Sequence, residues 1–219
     1  MAATPGQRHK RNPNFDKITD KEPEKSLTIP LKESGGRSSS GKVSVRGQGG
    51  GEKRKYRKIT FGQEKKGVKG QVQAFEYDPN RTAFIALVEY EDGDKRYLLA
   101  PQELEEGDEV ICKEEASLEP GNRMKLKNIP PGNMVHNIEL QPGRGGKLVR
   151  SAGSSSKVLA QEGKYTHLEM PSTEIRKVLK ECYATIGEVS NPEHRYVKSG
   201  KAGRPESAGS PRDRAPRRT

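Results

Sequence analysis

Tryptophan is absent from this chain, and all aromatic residues together make up only 5% of it. Proteins that hold single strands by stacking successive bases need a row of exposed rings, so that mode of nucleic-acid binding is poorly supplied here. Cysteine is nearly as scarce. Cys112 and Cys182 stand far apart and form no CxxC pattern, which excludes a disulfide framework or a zinc ribbon. Thiols of this kind usually pack as small apolar residues. His9, His136, His167 and His194 are scattered, with none paired at metal-ligand spacing, so no metal is expected. No apolar run approaches the roughly 20 residues of a membrane span. The first residues lack the apolar centre of a secretory signal, so a cytoplasmic or organellar interior is expected.

Apolar residues are also few, at 29%, with a mean hydropathy of −1.00, too little for a chain that folds from end to end. What the chain has instead is positive charge, +11 over 219 residues. Residues 1–60 hold 15 Lys/Arg against 6 Asp/Glu, and residues 201–219 hold 6 against 2. The middle is close to neutral, and its signs are segregated. Residues 103–119 carry eight carboxylates and one base, Lys113, whereas residues 140–157 carry four bases and no carboxylate. A body with one acidic edge, one basic edge and basic tails has a one-sided field that suits a polyanion.

Residues 1–54 are rich in Lys, Arg, Gly, Ser and Pro and read as a basic, disordered arm in which only "SLTIPL" could dock. From Lys55 the pattern changes to short β-branched and aromatic runs: "KYRKITF", "KGQVQAFEYD", "TAFIALVEYE", "KRYLLAP" and "DEVICKEE". Their regular spacing predicts a small barrel, and Asp92-Gly93 predicts a tight hairpin needing positive φ. Alternation on both sides of residues 84–90 predicts a strand buried on two faces. "LEPGNRMKLKNIPPGN" reads as a boundary, and "MVHNIEL", "KLVRSA", "KVLAQE" and "YTHLEM" predict a second β unit. Ile175, Val178, Leu179 and Cys182 fall at i, i+3, i+4 and i+7, a spacing that by itself predicts a short helix.

Glycine-rich stretches invite a nucleotide-loop reading, and fail it. "PGRGGKLVR" has neither the leading glycine nor the hydroxyl residue of a phosphate loop, and "RGQGGGEK" places Glu52 where GxGxxG needs glycine. Cys182 with His136 or His194 could be drawn as nucleophile and base, but no spacing supports it, so no enzyme, cofactor or small-molecule substrate is expected. Polyanion binding remains. In "LQPGRGGKLVRSAGSSSK", a stretch that reads as mobile, Arg144, Lys147 and Arg150 supply charge. Ser151, Ser154, Ser155 and Ser156 there supply neutral donors, and glycines let backbone approach phosphates. Arg81 in "DPNR" lies at another turn, and Lys53, Arg54, Lys55, Arg57 and Lys58 form a third cluster. With no groove-reading helix evident, folded RNA fits better than duplex DNA.

The segments "DPNRTAFIALVEYEDGDKRYLLAP", "GNMVHNIELQPGRGGKLVRSAG" and "EGKYTHLEMPSTEIRKVLKECYATIGEVSNPEH" resemble the bacterial-type, universal L-two family of large-subunit ribosomal proteins, as do "KSLTIPL", "GQGGGEKRKYR" and "GKAGR". The likeness runs from about residue 16 to Arg204. It implies an all-β protein: an N-terminal extension over 1–54, an OB-fold barrel over 55–118, an SH3-like barrel over 119–204 and an atypical disordered tail over 205–219. It implies ribosomal RNA and neighbouring ribosomal proteins as partners, with no membrane role. Arg81 and Arg150 then stand at the family's main RNA-contact arginines, and strands replace the helix at 175–182. Glu52 stands where the family usually has His, and Pro131 replaces an apolar residue. The end "PESAGSPRDRAPRRT" replaces a tryptophan-containing extension, which suggests truncation, a split gene or a shifted frame.

The resulting expectation is a non-catalytic RNA-binding constituent of a ribosome, cytoplasmic or organellar, that organises ribosomal RNA and supports subunit assembly, association and translation. The alternatives are a non-ribosomal RNA chaperone or general nucleic-acid-binding module, and a non-functional truncated ribosomal protein.

Overall fold

A computed structural model describes residues 4–19, 22–31, 34–48, 53–198 and 200. Glu52 and the atypical 205–219 tail lie outside these residues. The described residues hold one single-turn helix, α1 (Pro5–Arg8), and otherwise strands, 3-10 turns and loops. The strands in the first part are β1 (Thr28–Pro30), β2 (Lys55–Arg57), β3 (Lys69–Glu76), β4 (Ile85–Tyr90), β5 (Lys95–Leu99) and β6 (Glu109–Ile111). Then come β7 (Arg123–Lys125), β8 (Met134–His136), β9 (Ile138–Glu139), β10 (Gly146–Leu148) and β11 (Ser156–Glu162). The last three are β12 (Tyr165–Glu169), β13 (Ile175–Leu179) and β14 (Tyr183–Ile186).

Two compact units emerge. Asn14–Ile29 and Arg57–Arg195 form the larger one. In the smaller, Arg11 bridges Lys198, and Arg37 bridges Val43 across a serine-rich turn. Val43 and Val45 stay exposed there, and lysine, arginine and glycine leave little to bury.

The larger unit contains two main antiparallel sheets and the short β9–β10 pair. The first runs β5-β4-β3-β6, with β4 central and buried on both faces, as its apolar alternation predicts. Phe84, Ala86, Val88 and Tyr90 pack on one side with Val72, Leu98 and Val110, while Ile85 and Leu87 pack on the other with Ala74 and Tyr97. Leu27 of "SLTIPL" joins the second cluster, so that segment docks. The β4–β5 hairpin closes through Tyr90 N–H to the Asp94 carbonyl at 3.0 Å, and Gly93 supplies the positive φ, +77°. This is the OB-fold half.

The SH3-like half is a six-stranded sheet in the order β13-β12-β11-β8-β14-β7, with β9 and β10 paired beside it. Met124, Leu126, Ile129, Val135, Ile138, Val158, Leu168, Cys182 and Ile186 form its core. The helix that spacing alone predicts at 175–182 is absent. β13 pairs with β12 over five residues, Cys182 N–H closes a turn onto the Leu179 carbonyl at 3.0 Å, and β14 begins at Tyr183. The apparent helical period came from one edge strand, a turn and the start of the next strand. Cross-strand pairing overrides so short a local pattern.

Cysteine behaves as composition suggests. Cys112 and Cys182 are free and buried, and burial pushes the Cys182 thiol up to about 11, the direction opposite to nucleophile activation. No described helix is long and apolar enough to cross a membrane, and no cluster of metal-ligating side chains occurs among the described residues.

Candidate nucleic-acid interface

The DPNR turn is built around a carboxylate that water does not reach. The Asp78 side chain is 0% exposed, accepts from Asn80 N–H at 2.9 Å, and pairs with Arg81 Nε at 2.5 Å. An aspartate closing its own turn in this way is the ordinary use of that residue at a chain reversal. Here it also fixes the azimuth of a guanidinium that keeps 17% exposure.

Arg81 leans over the ring of Phe61, its guanidinium carbon 5.6 Å from the centroid. Arg150, about seventy residues further on and in the other sheet's half, approaches the same ring at 4.5 Å. Two arginines that the sequence singles out separately therefore converge on one aromatic side chain. Arg150 makes no ion pair among the described residues, and its single hydrogen bond, to the Gly146 carbonyl, is long at 3.4 Å. Its charge has no carboxylate partner among the described residues, whereas that of Arg81 is partly balanced by Asp78.

Backbone ties hold this face in place. The Phe61 carbonyl accepts from Gly146 N–H and from Asn137 Nδ2, each at 3.2 Å. Ala152 N–H donates to Thr82 Oγ1 at 3.1 Å, Asn191 Nδ2 to the Thr82 carbonyl at 2.8 Å, and Phe84 N–H to Ser190 Oγ at 3.1 Å. Thus the 140–157 segment, which composition presents as mobile, contains strand β10 and is pinned to both halves. Its glycines permit close approach: a Cβ on Gly146 would lie 2.0 Å from Asn137 Oδ1. Behind it, the wholly buried Arg123 pairs with Glu139 at 3.1 Å, and the other Glu139 oxygen accepts from Gly143 N–H at 3.2 Å and Tyr183 N–H at 3.1 Å. Each charge in that pair is compensated, as buried charges must be.

The remaining predicted residues divide. Arg144, Lys147 and Ser151 are exposed on the same segment. Arg144 lines a groove of about 510 Å³ together with Phe61, Gly62, Lys66, Gly143 and Tyr183. Lys66 sits over the Tyr183 ring at 5.0 Å. The serines are not equivalent. Ser154 Oγ donates to the Ser151 carbonyl at 2.6 Å, and buried Ser156 donates to the Glu169 carbonyl at 2.8 Å, so both hydroxyls are used internally rather than offered to a phosphate. Arg57 belongs to the larger unit, whereas Lys53, Arg54 and Lys55 belong to the smaller, where Lys53 and Lys55 are exposed and Arg54 half-buried. Sequence reasoning missed Phe61, Asp78 and Lys66. The Asp-x-Asn spacing of a side-chain-closed turn could have marked Asp78; nothing local marks Phe61.

The acidic stretch has no part in this face. All eight carboxylates of residues 103–119 are exposed, and Glu109 and Glu114 are spent on surface pairs with Lys69 and Lys125.

Comparison with known families agrees with this architecture in both halves. Residues 24–112 match the family model described as ribosomal proteins L2, RNA-binding N-terminal domain. Residues 119–216 match that of ribosomal proteins L2, C-terminal domain, a match that continues past Arg204, where the motif likeness ends. The chain belongs to the ribosomal protein L2 family, structural proteins of the large ribosomal subunit that bind ribosomal RNA.

Proposed function

We propose that the face carrying Arg81 and Arg150 is the principal ribosomal RNA contact. Arg144, Lys147 and Ser151 continue it along the 140–157 segment; Lys53, Arg54 and Lys55, in the smaller unit, and Arg57, in the larger, are further basic contacts. The observation that carries this reading is the convergence of two guanidiniums from different halves on the Phe61 ring, at 4.5 and 5.6 Å. Paired, planar, weakly hydrated cations suit phosphodiester oxygens, which accept two parallel N–H donors.

In this reading residues 1–54 are an extension, 55–118 the OB-fold domain, 119–204 the SH3-like domain and 205–219 a tail. The protein acts without catalysis, and the buried, high-pKa Cys182 supports that. It neutralises charge where ribosomal RNA folds back on itself, beside neighbouring ribosomal proteins, and so supports subunit assembly, association and translation in a cytoplasmic or organellar ribosome.

Arg150→Ala tests this most cleanly. Arg81→Ala would also strand Asp78 as an unpaired buried carboxylate and cost stability. Filter binding to a large-subunit ribosomal RNA fragment should show Arg150→Ala weaker, with the slope of log K against log salt reduced by roughly 0.7–0.9 for the lost phosphate contact. Unchanged affinity and slope, with circular dichroism intact, would overturn the assignment.

A further inference from the structure

Phe61 lies where a purely apolar role would be served as well by leucine. It packs against Ala83, Leu99 and Val189, and its carbonyl, not its ring, makes the hydrogen bonds to Gly146 and Asn137. Yet the ring is the shared neighbour of two arginine guanidiniums. Two cations beside one ring repel one another, and two features offset that repulsion. The Asp78 carboxylate balances Arg81, and the negative face of the ring attracts both.

We propose that Phe61 is a positioning residue for RNA binding: its ring sets the spacing and tilt of Arg81 and Arg150, so that the two act as one clamp on consecutive phosphates. Asp78 fixes the Arg81 arm through its Nε, leaving the two terminal nitrogens of that guanidinium free of the bond to Asp78. Among the described residues Arg150 is held by the ring and the Gly146 carbonyl, with no carboxylate partner, so it depends on Phe61 more than Arg81 does. The clamp has one arm from the turn after β3 and one from the turn after β10, and Phe61 is the element common to both. This inference rests on the reading that these arginines contact RNA.

The test compares Phe61→Leu, Phe61→Tyr, Arg150→Ala and the Phe61→Leu/Arg150→Ala pair in the full chain, with a large-subunit ribosomal RNA fragment as probe. Phe61→Leu should bind roughly five- to thirty-fold more weakly, the loss expected when two ring–cation contacts disappear. Phe61→Tyr should bind like the parent. In the Arg150→Ala background, Phe61→Leu should cost much less than in the parent, because one of the two arms it positions is already gone. A packing role alone would lower thermal stability and affinity by the same amount in both backgrounds, and such additivity would overturn the proposal. So would parental affinity for Phe61→Leu while Arg150→Ala is weakened. If Arg150→Ala itself binds like the parent, the RNA-contact reading fails first, and the proposal with it.

Discussion

At the scale of single residues, burial decides what each charge can do. Arg81 and Arg150 look alike in sequence, but one is balanced by a carboxylate that is 0% exposed and the other has no ion pair among the described residues. His136 is the opposite case. It is wholly buried, its Nδ1 lies 2.9 Å from the Gly187 carbonyl, and its Nε2 has no partner, so the neutral ring with a proton on Nδ1 fits the site. Burial, with Arg123 nearby adding to it, pushes its pKa down from 6.5 to about 4. A histidine depressed in the folded state binds its proton more readily when unfolded, so its contribution is complete above pH 6.5 and is lost as pH falls toward 4. Urea unfolding should therefore show about 1 kcal/mol less stability at pH 5.5 than at pH 7.5. His136→Gln should abolish most of that difference while lowering stability at both pH values. A parental protein equally stable at the two pH values would contradict the buried neutral state.

At the scale of elements, strands were legible wherever apolar alternation was long enough. β3, β4 and β5 follow it closely, and the hairpin between the last two turns at Gly93 as its Asp-Gly signal predicts. Legibility ended where an element owes its form to a partner distant in sequence. β13 is an edge strand whose only fully buried side chain is Val178, so its sequence carries little strand signal, and β12 supplies the pairing. The same limit applies to the interface. Charge and turn context placed Arg81 and Arg150 among several bases, and the family resemblance singled them out, but their meeting at Phe61 depends on ties between loops many residues apart. Strand β10 shows how tight those ties are. Gly146→Ala places a methyl against the Asn137 backbone and side chain, at 2.4 and 2.0 Å. Thermal unfolding should report a loss of about 1–3 kcal/mol, the usual penalty for forcing bulk into a packed site. RNA affinity should fall as well, because Arg150 follows on the same segment. A substitution neutral in both assays would show that the segment is looser than its hydrogen bonds imply.

At the scale of the whole molecule, the two barrels are joined by pairing rather than by a linker. Pro101 bridges Val189, Cys112 bridges Arg123, and Ser190 N–H donates to the Ala100 carbonyl at 3.0 Å. Asn14–Ile29 and Arg57–Arg195 accordingly group as one compact unit. Hydrogen exchange followed by mass spectrometry should give the same opening free energy for β4 and β12, which belong to different sheets, because neither sheet opens without the other. Clearly separate values would mean that the halves unfold independently and that the stitching contributes little.

The shared ring has a consequence for the order of events during synthesis. Phe61 and Arg81 leave the ribosomal exit tunnel well before Arg150, and the turn at Asn191 that braces Thr82 emerges later still. A growing chain therefore carries only one of the two arginines of the proposed clamp until its second barrel is complete. On the proposed reading of that face, high affinity for RNA comes only with the finished fold, and an incompletely made copy competes poorly for the place of a whole one.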